Sequence, residues 1–167
     1  MEQTISNTNQ YLAFRLGDEN FAFDVNSIKE VLEVIKITKV PQTPEMMKGV
    51  INLRGHVVPV IDLRIKLGMG ETEKTVETVI IIIELEMEEG EISLIGVLVD
   101  SVNEVINLDA EHIEPPPSIG TGLNTNYIDG MGKSDDTFII LLNTSKIFTE
   151  EELLAVQEVS ETEADPV

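Results

Sequence analysis

The sequence predicts a mainly β protein made of two β-subdomains in one chain. Short apolar runs recur between turns marked by Gly, Asn, Asp and Pro, as in small barrels and sandwiches. Val25-Asn26-Ser27-Ile28-Lys29-Glu30-Val31-Leu32 is echoed 74 positions later by Val99-Asp100-Ser101-Val102-Asn103-Glu104-Val105-Ile106, with Val, Ser, Glu and Val at the same offsets. Residues 57–62 parallel 138–143, displaced by 81, and each run has a glycine eight residues before its start, Gly49 and Gly130. The seven-residue difference in offset is what one longer loop would absorb. Two such units side by side leave an apolar groove between them, a natural dock for a peptide or helix.

The elements follow in chain order. Residues 1–9 are polar and read as a flexible tail. Residues 11–16, a tight turn at 17–20 and residues 21–25 read as strand, turn, strand. Residues 26–34 fit either a short helix or a continuing strand. Pro41 and Pro44 keep 36–44 extended. Residues 50–53 and 57–63 form a second hairpin through Arg54-Gly55-His56, and Pro59, which lacks an N–H, puts its strand at an edge or a bulge. A polar loop at 68–75 leads to a strand over 76–86, whose four consecutive isoleucines, Ile80 to Ile83, predict burial on both faces. Residues 88–91 turn the chain and 92–99 return. Residues 107–127, with Pro115-Pro116-Pro117, read as a long loop, and 137–142 as the last clear strand. Thr149 and Glu152 form a capping box, with Phe148 and Leu153 at the staple positions, opening a C-terminal helix to about residue 159. The expected domain spans 10–158. Its first subdomain is 10–75 plus the helix 149–159, its second is 76–148, and 160–167 is a flexible tail.

Charge and composition narrow the function. Among 167 residues there is no Cys, so disulfides, thiolate catalysis and Cys-held zinc are excluded. The N-terminus carries no secretory pattern, and the most apolar run, 79–83, is far short of the roughly 20 residues of a spanning helix. A soluble, cytoplasmic protein is expected. Net charge is −20, which argues against nucleic acid. Residues 21–68 hold seven bases and five acids, a net of +2, so the remainder carries −22. Such acidity serves solubility; it also leaves one less acidic stretch for a partner.

No reactive constellation stands out. His56 and His112 are far apart, no EF-hand pattern occurs, and neither a nucleophile elbow nor a phosphate loop is present. We therefore expect no catalytic residue, cofactor or metal. Arg54, in the turn Asn52-Leu53-Arg54-Gly55, is the charge least easily read as a solvated loop residue. A bidentate pair with Glu30 would fix that turn for a partner.

The run GVINLRGHVVPVIDLR at 49–64, preceded by FAFDVNSIKEVLEV at 21–34 and VPQTPEMMKG at 40–49, resembles the CheW family of bacterial chemotaxis coupling proteins. The resemblance covers about residues 10–158. It implies two intertwined five-stranded SH3-like β-barrels with a C-terminal helix and no catalysis. It also implies a scaffold bridging the regulatory domain of the histidine kinase CheA to the cytoplasmic tip of transmembrane chemoreceptors. The receptor groove maps onto Leu12, Val25, Ile28, Val31 and Val99, with Glu30, Asn52 and Arg54 as organisers nearby. Val40, His56 and Leu67 are the expected kinase contacts. Two other readings are a CheW-like module of a CheV-type protein or kinase regulatory domain, and a small-ligand-binding β-barrel with an acidic pocket.

Overall fold

The isoleucine run shows how the chain shares out its apolar side chains. Ile80, Ile81, Ile82 and Ile83 are all fully buried. Ile81 and Ile83 enter one core and Ile80 and Ile82 another, because successive side chains of a strand point to opposite faces. A computed structural model describes residues 8–87, 90–115, 126–134, 136–149, 152, 153 and 155.

The strands are β1 (Thr8–Leu16), β2 (Glu19–Asp24), β3 (Ile28–Glu33), β4 (Met47–Leu53), β5 (His56–Asp62), β6 (Val79–Glu86), β7 (Ile92–Val99), β8 (Ser101–Asp109), β9 (Ile113–Glu114), β10 (Ile128–Ser134) and β11 (Thr137–Leu142). A short helix, α1 (Leu63–Lys66), follows β5, and 3-10 turns occupy Val25–Ser27 and Ala110–His112. One sheet has the order β3-β6-β7-β5-β4, the other β8-β1-β2-β11-β10-β9. The mainly β, two-unit architecture is thus present. One sheet has five strands, and the other gains a sixth through the two-residue β9.

The two sheets repeat one plan. Each begins at an edge strand, β3 or β8, and each joins its halves through a parallel pair. The pairs are Val60–Asp62 beside Gly96–Leu98, and Phe21–Phe23 beside Ile140–Leu142. The 81-residue offset holds in detail. The N–H of Asp62 donates to Met46 O at 2.7 Å, and that of Asn143 to Tyr127 O at 2.8 Å. Asp62 Oδ1 accepts from Arg64 N at 3.0 Å, and Asn143 Oδ1 from Ser145 N at 2.9 Å. Both glycines of the echo sit at register shifts where a side chain has no room. A Cβ on Gly49 would lie 2.2 Å from Thr38 O, and one on Gly130 2.9 Å from Glu114 O.

The strands sort differently from the expected division at 75/76. β1 and β2 pair with β8 and β11, while β3 to β7 form the other sheet. The chain leaves the first unit after β2, builds the whole five-stranded sheet, and returns through Asp100. Three strands, β8, β9 and β10, stand where the sequence predicts a loop or no element. β10 carries Gly130, Gly132, Lys133 and Ser134, so it lacks the β-branched signature of a strand. Residues 26–34 resolve into a 3-10 turn followed by β3. Pro59 stands in an interior strand, yet the ladder to β7 begins at Val60, so its missing N–H breaks no bond on that side. Of the expected C-terminal helix, the capping box is formed: Thr149 N donates to Glu152 Oε1 at 2.8 Å and Glu152 N to Thr149 Oγ1 at 3.1 Å. Most of 150–159 lies outside the described residues, as do the tails 1–7 and 160–167.

Three cores result. One lies between the sheets and includes Phe14, Leu16, Phe23, Ile61, Leu63, Ile81, Ile83 and Val97. Each sheet also curls around its own cluster, Ile51, Val58, Val60, Ile80 and Ile82 in one and Tyr11, Ala22, Leu108 and Leu141 in the other.

Gly49→Ala forces a side chain into a positive-φ backbone (φ 146) against Thr38 O. It is expected to cost about 2 kcal/mol or more. Gly70→Ala, also at positive φ but with open space around its Cβ, is expected to cost clearly less. Urea denaturation of the two variants measures the difference.

Candidate functional site

The site begins with the two edge strands. Val31 on β3 stands opposite Ile81, a member of the inter-sheet core, so its side chain lies on that face. Val105 on β8 stands opposite Leu12, which packs on the same core. Val31 is 39% exposed and Val105 50%. Between them Leu12, Ile28 and Val102 are partly buried against the core. The 3-10 turn ahead of β3 contacts β1, and β7 passes into β8 through Asp100, so both edges border one rim. The result is an open apolar strip over the inter-sheet core.

This strip is what the 74-residue echo encodes. Ile28 and Val31 on one edge correspond to Val102 and Val105 on the other. Val102 and Val105 are absent from the groove residues that the resemblance implies, and the echo itself is the signal that points to them. Val99 requires a correction. It corresponds to Val25 in the echo, but it is the last residue of β7, paired with Val79, and is completely buried. It supports the strip from beneath and offers no contact surface. Val25, on the 3-10 turn, is half-buried.

The crossover at Asp100 is pinned. Its Oδ2 accepts from Gly17 N at 2.6 Å and from Arg64 Nη1 at 3.1 Å, and Arg64 Nη2 donates to Met69 O at 3.0 Å. Asp62, fully buried, accepts from Thr72 N at 2.9 Å and Thr72 Oγ1 at 2.7 Å. These bonds tie the loop after α1 to both sheets.

Arg54 and Glu30 do meet, through both guanidinium amines. They sit at opposite edges of the five-stranded sheet, the β4–β5 turn and β3, so the pair closes the rolled sheet and holds the groove strand. The turn is built for this. Arg54 (φ 52) and Gly55 (φ 87) are both left-handed, as a two-residue hairpin turn requires, and Asn52 Oδ1 accepts from Gly55 N at 2.8 Å. A left-handed arginine costs about 1–2 kcal/mol, so its position is enforced by the turn and its partner. The hydrogen bond to Glu30, and then the Glu30 charge, hold the guanidinium above its ordinary pKa.

The expected kinase contacts differ in burial. Val40 and Leu67 pack partly buried on the inter-sheet core, whereas His56 is exposed on the β4–β5 hairpin. His56 lines a second groove of about 720 Å³, where the starts of β5 and β7 part before their parallel ladder begins. Among the described residues no His, Cys, Asp or Glu cluster is arranged to hold a metal, and no helix is long and apolar enough to cross a membrane.

Comparison with known proteins assigns the family. The CheW-like domain model matches residues 10–152. The chain is 33% identical to the chemotaxis protein CheW of Klebsiella aerogenes over 153 residues, 92% of this chain and 89% of that protein. It is 32% identical to CheW of Bacillus subtilis, over 90% of this chain and 94% of that one. The crystal structure of the scaffolding protein TtCheW from Thermoanaerobacter tengcongensis superposes with a TM-score of 0.75 at 38% identity, covering 86% of this chain and 94% of that one. The chain belongs to the CheW family of non-catalytic chemotaxis scaffold proteins, which couple CheA to receptors.

Burial separates two valines that look alike in sequence. Val99→Asp places a carboxylate in a dry core and is expected to cost about 3 kcal/mol or more. Val105→Asp leaves its charge in water, and thermal unfolding is expected to show little change.

Proposed function

We propose that this scaffold receives the cytoplasmic tip of a chemoreceptor along the strip between β3 and β8. The regulatory domain of CheA is then bound elsewhere on the barrels, with Val40, His56 and Leu67 as its candidate contacts. One observation carries the receptor assignment: two edge strands related by the internal repeat present half-exposed valines, Val31 and Val105, over a shared core. An antiparallel helix pair offers apolar side chains at i, i+3 and i+4 to such a strip. Each square ångström covered contributes about 25 cal/mol before the costs of association. The strip binds by shape and burial, with no bond made or broken. These partners place the protein in the cytoplasm.

Glu30 and Arg54 act as organisers in this reading. Glu30 shares β3 with Ile28 and Val31, so the ion pair holds the strand that forms one wall. Most of the chain's negative charge lies outside residues 21–68, which discourages contacts elsewhere.

Val31→Asp and Val105→Asp are each expected to weaken binding of a receptor-tip fragment at least about tenfold, equivalent to 1.4 kcal/mol. Binding of the kinase regulatory domain is expected to stay unchanged, as titration calorimetry with each partner will show. Equal loss of both partners in a folded variant would displace the receptor site, and wild-type protein that binds neither would remove the coupling role. In the same assay, Glu30→Ala and Arg54→Ala combined are expected to weaken receptor binding no more than either alone. Fully additive losses would show that the pair does not act as a unit.

A further inference from the structure

The two edges of the apolar strip are built alike. Ile28 and Val31 stand opposite Ile83 and Ile81, and Val102 and Val105 stand opposite Phe14 and Leu12. On each edge, then, a step of three residues matches a step of two on the neighbouring strand. The extra residue is a bulge. It brings side chains three apart onto one face, where an unbroken strand would present every second residue. All four neighbours belong to the inter-sheet core or pack on it. The 74-residue echo therefore repeats a bulge, and with it a pair of apolar side chains at one spacing. The bulged residues turn to the other face: Glu30 reaches Arg54, and Lys29 lines the second groove. Asn103 and Glu104 are their counterparts on β8.

A strip this symmetric leaves a partner two ways to bind. An antiparallel helix pair is itself close to two-fold symmetric, so exchanging its helices between the edges buries nearly the same apolar surface. Burial is non-directional and does not choose between the two seatings. The choice falls to residues that share the face of the valines and differ between the edges. Beyond the bulges both ladders run unbroken, so the second residue on continues that face. It is Glu33 on β3, opposite Val79, and Asn107 on β8, opposite Gln10. Both are exposed. Glu33 makes no ion pair among the described residues. Asp109, the next residue of that face on β8, is already engaged by the His112 ring.

We propose that Glu33 decides which helix of the receptor tip lies on which edge. The helix with a lysine or arginine just beyond its apolar anchors takes β3, beside the Glu33 carboxylate. Its antiparallel mate takes β8, where Asn107 offers no charge. The inference rests on the receptor reading of the strip and adds a direction to it. Direction is the main effect, because an exposed ion pair changes binding only about two- to fivefold. Electrostatic complementarity of this kind fixes register and orientation more than affinity.

Paramagnetic broadening reads the seating directly. A receptor-tip fragment carries a nitroxide on the helix that bears the basic residue, and the full-length chain is isotope-labelled. In the wild type, amide signals of β3 are expected to lose intensity while those of β8 are largely spared. In the double variant Glu33→Asn, Asn107→Glu, which exchanges the two residues, the loss is expected to move to β8. Glu33→Asn alone charges neither edge; it is expected to broaden both and to bind about two- to fivefold more weakly. Broadening that stays on β3 in the exchanged variant would overturn the proposal and leave the receptor strip in place. So would wild-type broadening that falls on β8 or is shared equally by both edges. Wild-type chain that shows neither binding nor broadening would instead remove the strip as the receptor site, and this proposal with it.

Discussion

Everything in this molecule depends on the apolar layer trapped between its two sheets. Neither sheet can bury both its faces alone. Each curls around a small cluster of its own and leaves a second apolar face, formed by Phe14, Leu16 and Phe23 on one side and Ile61, Ile81, Ile83 and Val97 on the other. Burying these faces against each other is the dominant favourable term, and it determines what remains outside. A layer between two twisted sheets must have rims. At one rim both sheets end in edge strands, β3 and β8, and there the core meets water as Val31 and Val105. The proposed receptor strip is therefore the uncovered margin of the core.

The same constraint explains the polar bonds that the fold retains. A rim keeps its shape only if the sheets do not slide. Asp100 receives Gly17 N and Arg64 at the single place where β7 becomes β8. Arg54 and Glu30 join the opposite edges of the five-stranded sheet. Exposed ion pairs add little stability as a rule. What this one supplies is position, since Glu30 alternates along β3 with the residues that face the rim.

Much of this was legible in the sequence, and the reasons differ by element. The isoleucine run, the two hairpins and the capping box are local patterns, and local physics decides them. The repeat was legible because the same backbone geometry recurs: Asp62 and Asn143 each accept from the amide two residues on, and Gly49 and Gly130 each sit where a Cβ would strike a neighbouring carbonyl. The assignment of strands to sheets was not legible, because β1 pairing with β8 joins residues roughly ninety positions apart and leaves no mark on either segment. Val99 was misplaced for a related reason. Its surroundings in sequence match those of Val25, but it ends an interior strand while Val25 opens a half-buried 3-10 turn. Arg54 and Glu30 were paired correctly from chemistry alone, since a carboxylate on the echoed strand was the natural complement of a turn arginine.

In the proposed complex one partner helix bundle covers both edges of the rim at once. Hydrogen–deuterium exchange of the whole chain, with and without a receptor-tip fragment, tests it most directly. Slowed exchange is expected in Val25–Ser27, β3 and β8 together, with β4 and β5 unchanged. Slowing confined to one edge, or centred on the β4–β5 hairpin, would contradict it.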